Sequence, residues 1–221
     1  MDIKELYKLW CDSAVDDSDL QRELEDIKND DEAINDRFYR ELEFGTGGLR
    51  GVIGAGTNRM NIYTVRRATQ GFADYINEAF SSPSVAVSYD SRIKSDIFAK
   101  AAAGVFAANG IKVYIYKELM PTPALSFAVR ELGCSAGVMI TASHNPSKYN
   151  GYKAYGSDGC QLNLESAEAV IKKVNSLDIF RDVKNVSFEE AVNNKMVEYI
   201  SDELQTNIIK TFLVRVSIRL L

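Results

Sequence analysis

The chain is poor in the residues that most often announce a site: its 221 residues hold one histidine, three cysteines, four prolines and one tryptophan. A single histidine argues against the usual histidine-bearing zinc sites, and it leaves a Ser-His-Asp triad only His144 as its base. Cys11, Cys134 and Cys160 are odd in number and scattered, so reduced thiols are expected rather than a disulfide framework. The prolines mark no linker, and there is neither an internal repeat nor a low-complexity block. No stretch reaches the ~18 uncharged apolar residues of a membrane span. The start, Met1-Asp2-Ile3-Lys4-Glu5, lacks the basic-then-apolar form of a signal peptide, so a cytoplasmic protein with no membrane partner is expected. Long basic runs are missing too. With 26 Lys+Arg against 31 Asp+Glu the formal net charge is −5, which speaks against a nucleic-acid partner but leaves room for a local pocket that takes a small anion.

What is present is an ordinary globular composition, 46% hydrophobic and 26% charged, of a length that suits one large domain or one domain with the opening of a second. Ile3, Leu6, Tyr7 and Trp10 predict an amphipathic helix, and Asp16 to Asp19 predict a break and a fresh helix start. The acidic run Asp16 to Asp31 reads as a solvated helical face. From residue 63 the pattern is regular. Val65, Thr69, Phe72, Ile76 and Phe80 predict a helix over Tyr63 to Phe80, and Val85 to Tyr89 then reads as a buried strand. A helix over Ser95 to Asn109 closed by Gly110, a strand over Ile111 to Tyr116, a helix capped by Thr122 and ended by Gly133, and a strand over Ala136 to Ile140 follow. This alternation predicts an α/β domain with parallel neighbours, whose ligands gather beyond the carboxyl ends of the strands.

Two polar motifs sit at such ends, Asp90-Ser91-Arg92 and Thr141 to Lys153 (T-A-S-H-N-P-S-K-Y-N-G-Y-K). In the second, Ser143 leaves a strand end, Pro146 and Asn150-Gly151 predict tight turns, and Lys153 brings a cation back. A hydroxyl, an imidazole and an ammonium so placed suit phosphoryl transfer, which rests on positioning and charge stabilisation. The run Gly45 to Gly51 precedes the layer and could fold back to the same edge, bringing backbone N–H groups and Arg50 to an anion. Arg92 reads either as a second cation of the site or as a partner of Asp90. Tyr149, Tyr152 and Tyr155 read as packing residues of a hairpin. The dinucleotide fingerprint does not fit, because Arg50 stands where its third glycine belongs, and G-x-x-x-x-G-K-[ST] is absent. Ser143 and His144 are sequence neighbours, which disfavours a hydrolase triad.

These motifs together resemble the α-D-phosphohexomutase superfamily, the phosphoglucomutases and phosphomannomutases. G-T-G-G-L-R-G, Y-D-S-R, T-P-A-L, T-A-S-H-N-P, Y-N-G-Y-K and D-G-C-Q occur in that family's order over most of the chain, and the long N-terminal helix before F-G-T-G-G-L-R-G resembles the phosphoglucomutase and phosphopentomutase branch. The resemblance implies a three-layer α/β domain I with a mixed, largely parallel sheet between helices. It implies that Ser143 is carried as phosphoserine and interconverts hexose 1-phosphate and hexose 6-phosphate through a bisphosphate intermediate. It also implies His144 and Lys153 as site residues with Lys153 the general acid/base, and Arg50 beside the phosphoserine. Gly47, Gly48, Arg50, Arg92 and Asn145 are expected to bind substrate or phosphate. The implied cofactors are Mg²⁺, ligated through the phosphate of Ser143, and a glucose 1,6-bisphosphate-type activator.

Members of that family are typically more than twice this long, and the loops they use for metal, sugar and distal phosphate in later domains are not found here. Residues 1–200 are therefore expected to form domain I, and 201–221 a truncated start of the next domain or an aberrant tail, apolar and basic from Ile208 to Leu221. Such a tail is expected to need the missing C-terminal domains or self-association. The competing reading is a non-catalytic phosphosugar-binding or assembly module derived from the same domain.

Overall fold

The computed structural model describes residues 2–208 and 210; most of the expected apolar tail, 209 and 211–221, lies outside the described residues. Three short helices open the chain, α1 (Ile3–Ser13), α2 (Ser18–Asp26) and α3 (Asp31–Phe38). The apolar stripe of α1 buries Trp10 completely, with edge-on ring contacts to Phe38, Tyr63 and Phe180 at 5.8, 5.7 and 5.4 Å. The acidic run is more than a solvated face. The Asp17 carboxylate accepts from the amides of Asp19 and Leu20, and that of Asp30 from Ala33, so these two residues start α2 and α3.

The predicted helix and strands follow as α4 (Ile62–Ala79), β2 (Ser84–Tyr89), α5 (Ser95–Ala108), β3 (Lys112–Ile115), α6 (Thr122–Glu131) and β4 (Ala136–Ile140), after an early strand β1 (Gly48–Val52). Then come β5 (Tyr149–Gly156), α7 (Leu164–Ser176), α8 (Phe188–Asn193) and β6 (Val197–Tyr199). Two starts differ from expectation. Asn61 is the cap that launches α4, accepting from Tyr63 and Thr64 in a capping box. In α6 the cap position falls on Pro121 and Thr122 is the first helical residue, because proline's fixed φ suits the extended cap conformation and no side chain caps this helix. Gly110 and Gly133 end α5 and α6 at φ +76° and +61°, as expected of left-handed stops.

The sheet order is β1-β5-β4-β2-β3-β6. β2, β3, β4 and β6 pair in parallel, while β5 is antiparallel to β4 and to β1, so the sheet is mixed and largely parallel as expected. Alternating side chains feed two cores. Val85, Val87, Val138, Ile140 and Tyr152 join α4, α5, α7 and the N-terminal helices on one face. Ala86, Met139 and Tyr155 join α6 on the other, together with Ile200, Leu204 and Ile208. All five residues of β4 are buried, which explains their uninterrupted apolar run. Because β2 and β4 are neighbours, with Tyr89 opposite Ile140, both polar motifs leave the same edge side by side. No described helix is long and apolar enough to cross a membrane.

Candidate active site

Ser143 sits two residues beyond Thr141, where the chain leaves β4 for β5, in the left-handed region at φ +56°. That conformation costs a residue with a Cβ about 1–2 kcal/mol, so neighbouring contacts must hold it. Two do so at once: the Ser143 amide donates to Thr141 Oγ1 at 2.8 Å, and Asn145 N donates to Ala142 O at 3.1 Å. The hydroxyl is exposed, and Lys153 Nζ donates to Ser143 Oγ at 2.8 Å. Lys153 reaches it from the middle of β5, where it stands between Gly48 of β1 and Met139 of β4.

Asn150-Gly151, expected as a turn, instead lies within β5. The glycine is needed for close approach, since a Cβ at 151 would stand 2.6 Å from Thr141 O and 2.9 Å from Leu49 O. The glycine run shows the same principle. Gly48 opens β1 at φ +129°, and a Cβ there would fall 1.8 Å from Tyr152 O. Gly45 to Gly51 thus becomes half turn and half edge strand, laid back over β5 at the edge where Ser143 emerges. A hollow of about 240 Å³ lies between, lined by Gly47, Gly48, Arg50, Ser143, Lys153 and Gln161 among others.

The remaining expected residues separate. Arg50 is exposed, and its Nη1 donates to Asn145 Oδ1 at 3.3 Å, so these two meet over the turn. His144 is exposed and is not among the residues that line the hollow. Arg92, expected as a phosphate ligand, has its terminal nitrogens turned to four backbone carbonyls of the serine loop. Its Nε lies 3.6 Å from Asp90 Oδ2, as expected of a partner of Asp90, while the four carbonyl contacts were not indicated by the sequence. Gln161 lines the hollow and was absent from the expected ligands; the signal was the D-G-C-Q motif, which a bridge between Tyr155 and Gln161 brings back to β5. Tyr152 and Tyr155 are buried packing residues on opposite faces of the sheet, and burial pushes both phenols above the usual tyrosine range.

Residues 41–179, more than half of the chain, match the family described as phosphoglucomutase/phosphomannomutase, alpha/beta/alpha domain I. The chain belongs to this family. The match to domain I of the phosphoglucomutase/phosphomannomutase family contains every residue of the candidate site. Among curated relatives, a phosphoglucomutase of Staphylococcus saprophyticus is 37% identical over 196 residues, 89% of this chain and 35% of that protein. A phosphoglucomutase of Staphylococcus aureus strain USA300 is 43% identical over 161 residues, 73% of this chain and 29% of its own. Among solved structures, a Thermus thermophilus protein assigned as a phosphomannomutase superposes with a TM-score of 0.59 at 35% identity, covering 67% of this chain and 32% of that one. The chain thus spans about a third of the length of the relatives it matches.

Whether this domain holds a metal by itself is a question of donors. Among the described residues no three His, Cys, Asp or Glu side chains come together to hold an ion. The described side chains by themselves therefore supply no such set of protein ligands.

Proposed function

We propose that this chain is the nucleophile-bearing domain of a phosphohexomutase, with residues 1–200 as that domain and Ser143 carried as phosphoserine. The reaction would interconvert hexose 1-phosphate and hexose 6-phosphate through a bisphosphate, with a glucose 1,6-bisphosphate-type activator loading the serine. Membership of the family supports the chemistry. The observation that carries the reading for this chain is the Lys153 Nζ to Ser143 Oγ hydrogen bond of 2.8 Å beside a glycine-walled hollow.

When a sugar hydroxyl attacks the phosphoserine, the new O–P bond forms as the Oγ–P bond breaks, the hydroxyl proton passes to a non-bridging oxygen of the transferred phosphoryl group, and negative charge develops on Oγ. An ammonium already donating to that atom stabilises the charge and supplies the proton. In the reverse transfer Ser143 Oγ attacks a phosphoryl group of the bisphosphate as its sugar O–P bond breaks; the serine proton returns to Lys153, and the leaving sugar oxygen takes back the proton carried on the phosphoryl group. Arg50 supplies a fixed guanidinium for a phosphate at the mouth of the hollow, and Gly47 and Gly48 let a ligand approach the backbone. Asn145 orients Arg50. His144, exposed beside the serine, is assigned a positioning or proton-shuttle part. The phosphate of Ser143 would be a ligand for Mg²⁺, whose remaining ligands would come from beyond the described residues.

The test is mass spectrometry of the tryptic peptide containing Ser143 after incubation of the chain with glucose 1,6-bisphosphate. Phosphate on Ser143, lost in Ser143→Ala, is expected, with negligible sustained conversion of glucose 1-phosphate by this chain alone. A Ser143 that stays unmodified, both there and in protein taken from cells, would favour the non-catalytic binding module.

A further inference from the structure

We propose that Arg92 is a positioning residue that holds the nucleophile in its reactive geometry, acting through the backbone of the serine loop rather than on phosphate; the catalytic half of this claim rests on the function proposed above. Its Nη2 donates to Ser143 O at 2.7 Å and Asn145 O at 2.6 Å, and its Nη1 to Pro146 O at 3.1 Å and Tyr149 O at 3.0 Å. The four hydrogens of the two terminal nitrogens are thereby used, and a guanidinium has no further donor except the Nε–H, which faces Asp90. The side chain is 14% exposed, and the bonds to Asn145 O and Tyr149 O are partly buried while those to Ser143 O and Pro146 O lie at the surface.

The arrangement does two things. First, it fixes Ser143 against its own conformational preference: a serine at φ +56° relaxes toward right-handed or extended backbone unless its peptide is held, and the carbonyl of that residue is one of the four bonded to Arg92. Second, it collects the negative ends of four peptide dipoles on a cation. In a planar trans peptide the next N–H points opposite to the carbonyl, so the amides of His144 and Ser147 face away from Arg92. The nucleophile is thus relieved of carbonyls that would repel a phosphate dianion.

The clamp is itself anchored. Asp90 Oδ1 accepts from Arg92 N at 3.0 Å and from Ser95 Oγ at 2.9 Å. Asn150, fully buried at the start of β5, donates to Ser95 Oγ and to Ile93 O at 3.0 Å each, and its Oδ1 accepts from Gly151 N at 2.8 Å. Both ends of the serine loop are therefore tied to the same segment after β2.

Hydrogen exchange of peptides over residues 141–150, with thermal melting as a control, tests the backbone part in Arg92→Ala and Arg92→Lys. Loop exchange is expected to rise about tenfold or more in Arg92→Ala while peptides from α4 and α5 stay unchanged. Arg92→Lys, which keeps the charge but has at most three donors for four carbonyls, is expected to fall between. Single-turnover phosphorylation of Ser143 by glucose 1,6-bisphosphate is expected to slow about 100-fold in Arg92→Ala with little change in the bisphosphate concentration giving half the maximal rate. Added guanidinium is expected to restore both loop protection and rate, which a general loss of stability would not allow. Unchanged loop exchange in Arg92→Ala, or a weakened half-saturation at an unchanged maximal rate, would overturn the proposal in favour of a phosphate ligand. If the wild-type chain accepts no phosphate, the proposed function fails and the exchange measurement still decides whether Arg92 holds the loop.

Discussion

Lys153 Nζ donates to Ser143 Oγ across 2.8 Å although the two residues lie ten positions apart and on different elements, one in a turn and one in mid-strand. The antiparallel return of β5 beside β4 produces this meeting. The strand brings residue 153 opposite Met139, on the face away from Tyr152, and the lysine stem then reaches along the sheet edge to the turn.

Replacing that lysine with methionine keeps the apolar stem and removes the ammonium. Lys153→Met is expected to slow single-turnover phosphorylation of Ser143 by about 10²–10³-fold, the usual worth of a positioned acid or charge stabiliser. Thermal stability should change little, because the lysine is partly exposed and its packing contacts are retained. The pair of measurements is a rapid-quench phosphorylation time course and a melting curve. A wild-type rate in Lys153→Met would remove the residue from the chemistry.

Much of this site was legible in the sequence because its parts are contiguous: the strand, the turn and the returning lysine all lie within Ala136 to Lys153. The parallel layer was legible for a similar reason, since β2 and β4 are buried on both faces and therefore read as unbroken apolar runs. What escaped depended on contacts remote in sequence. Gly48 to Val52 contains few strand-forming residues and becomes a strand only because β5 offers it an edge. Asn150-Gly151 carries a turn signature, but its glycine serves close packing between β1 and the end of β4. The direction of the Arg92 guanidinium, toward four carbonyls rather than toward solvent or Asp90 alone, is fixed by a loop that lies 51 to 57 positions further along the chain.

Gly48 should be the least replaceable glycine of the run. Its φ of +129° is closed to residues with a Cβ, and an added methyl would meet the Tyr152 carbonyl at 1.8 Å, a backbone atom that cannot rotate away. Gly48→Ala is expected to destabilise the fold by on the order of 3 kcal/mol, or to detach β1 from β5. Gly45→Ala, with its nearest neighbour at 3.8 Å and no such φ, should cost far less. Urea denaturation of the two variants decides the matter, and equal midpoints would contradict the geometry.

The N-terminal helices are joined to the site segment through charge. Lys94, which starts α5 just after Arg92, lies 3.4 Å from Asp17 and 3.1 Å from Asp19. Hydrogen bonds from Lys94 and Arg22 hold the Asp19 carboxyl below its ordinary value of 3.8. A carboxyl whose pKa is lower folded than unfolded binds protons less readily in the native state. Its contribution is therefore complete above the unfolded value and fades as the pH falls through the folded one. Asp19→Asn is expected to be less stable than wild type at pH 7 and to converge on it below about pH 3.8, as urea midpoints across that range would show. A difference that stayed constant with pH would place the effect in packing rather than in ionisation.

The cysteines offer a check on the core that is independent of phosphate chemistry. Cys134 is buried beside α6, and desolvation pushes its thiol above the ordinary value, so it has little thiolate to offer and little access. Cys160 is exposed in the turn that brings Gln161 to the hollow, and Cys11 is half-buried on α1. At pH 8 iodoacetamide is expected to alkylate Cys160 first in the native protein, with Cys134 modified only as fast as the fold opens, whereas all three should react together in urea. Peptide mapping over time reads the order directly. Early labelling of Cys134 would mean that the layer formed by α6 over β4 is looser than its packing implies. Protection of Cys160 by added glucose 1,6-bisphosphate would show that the ligand reaches the Gln161 side of the hollow.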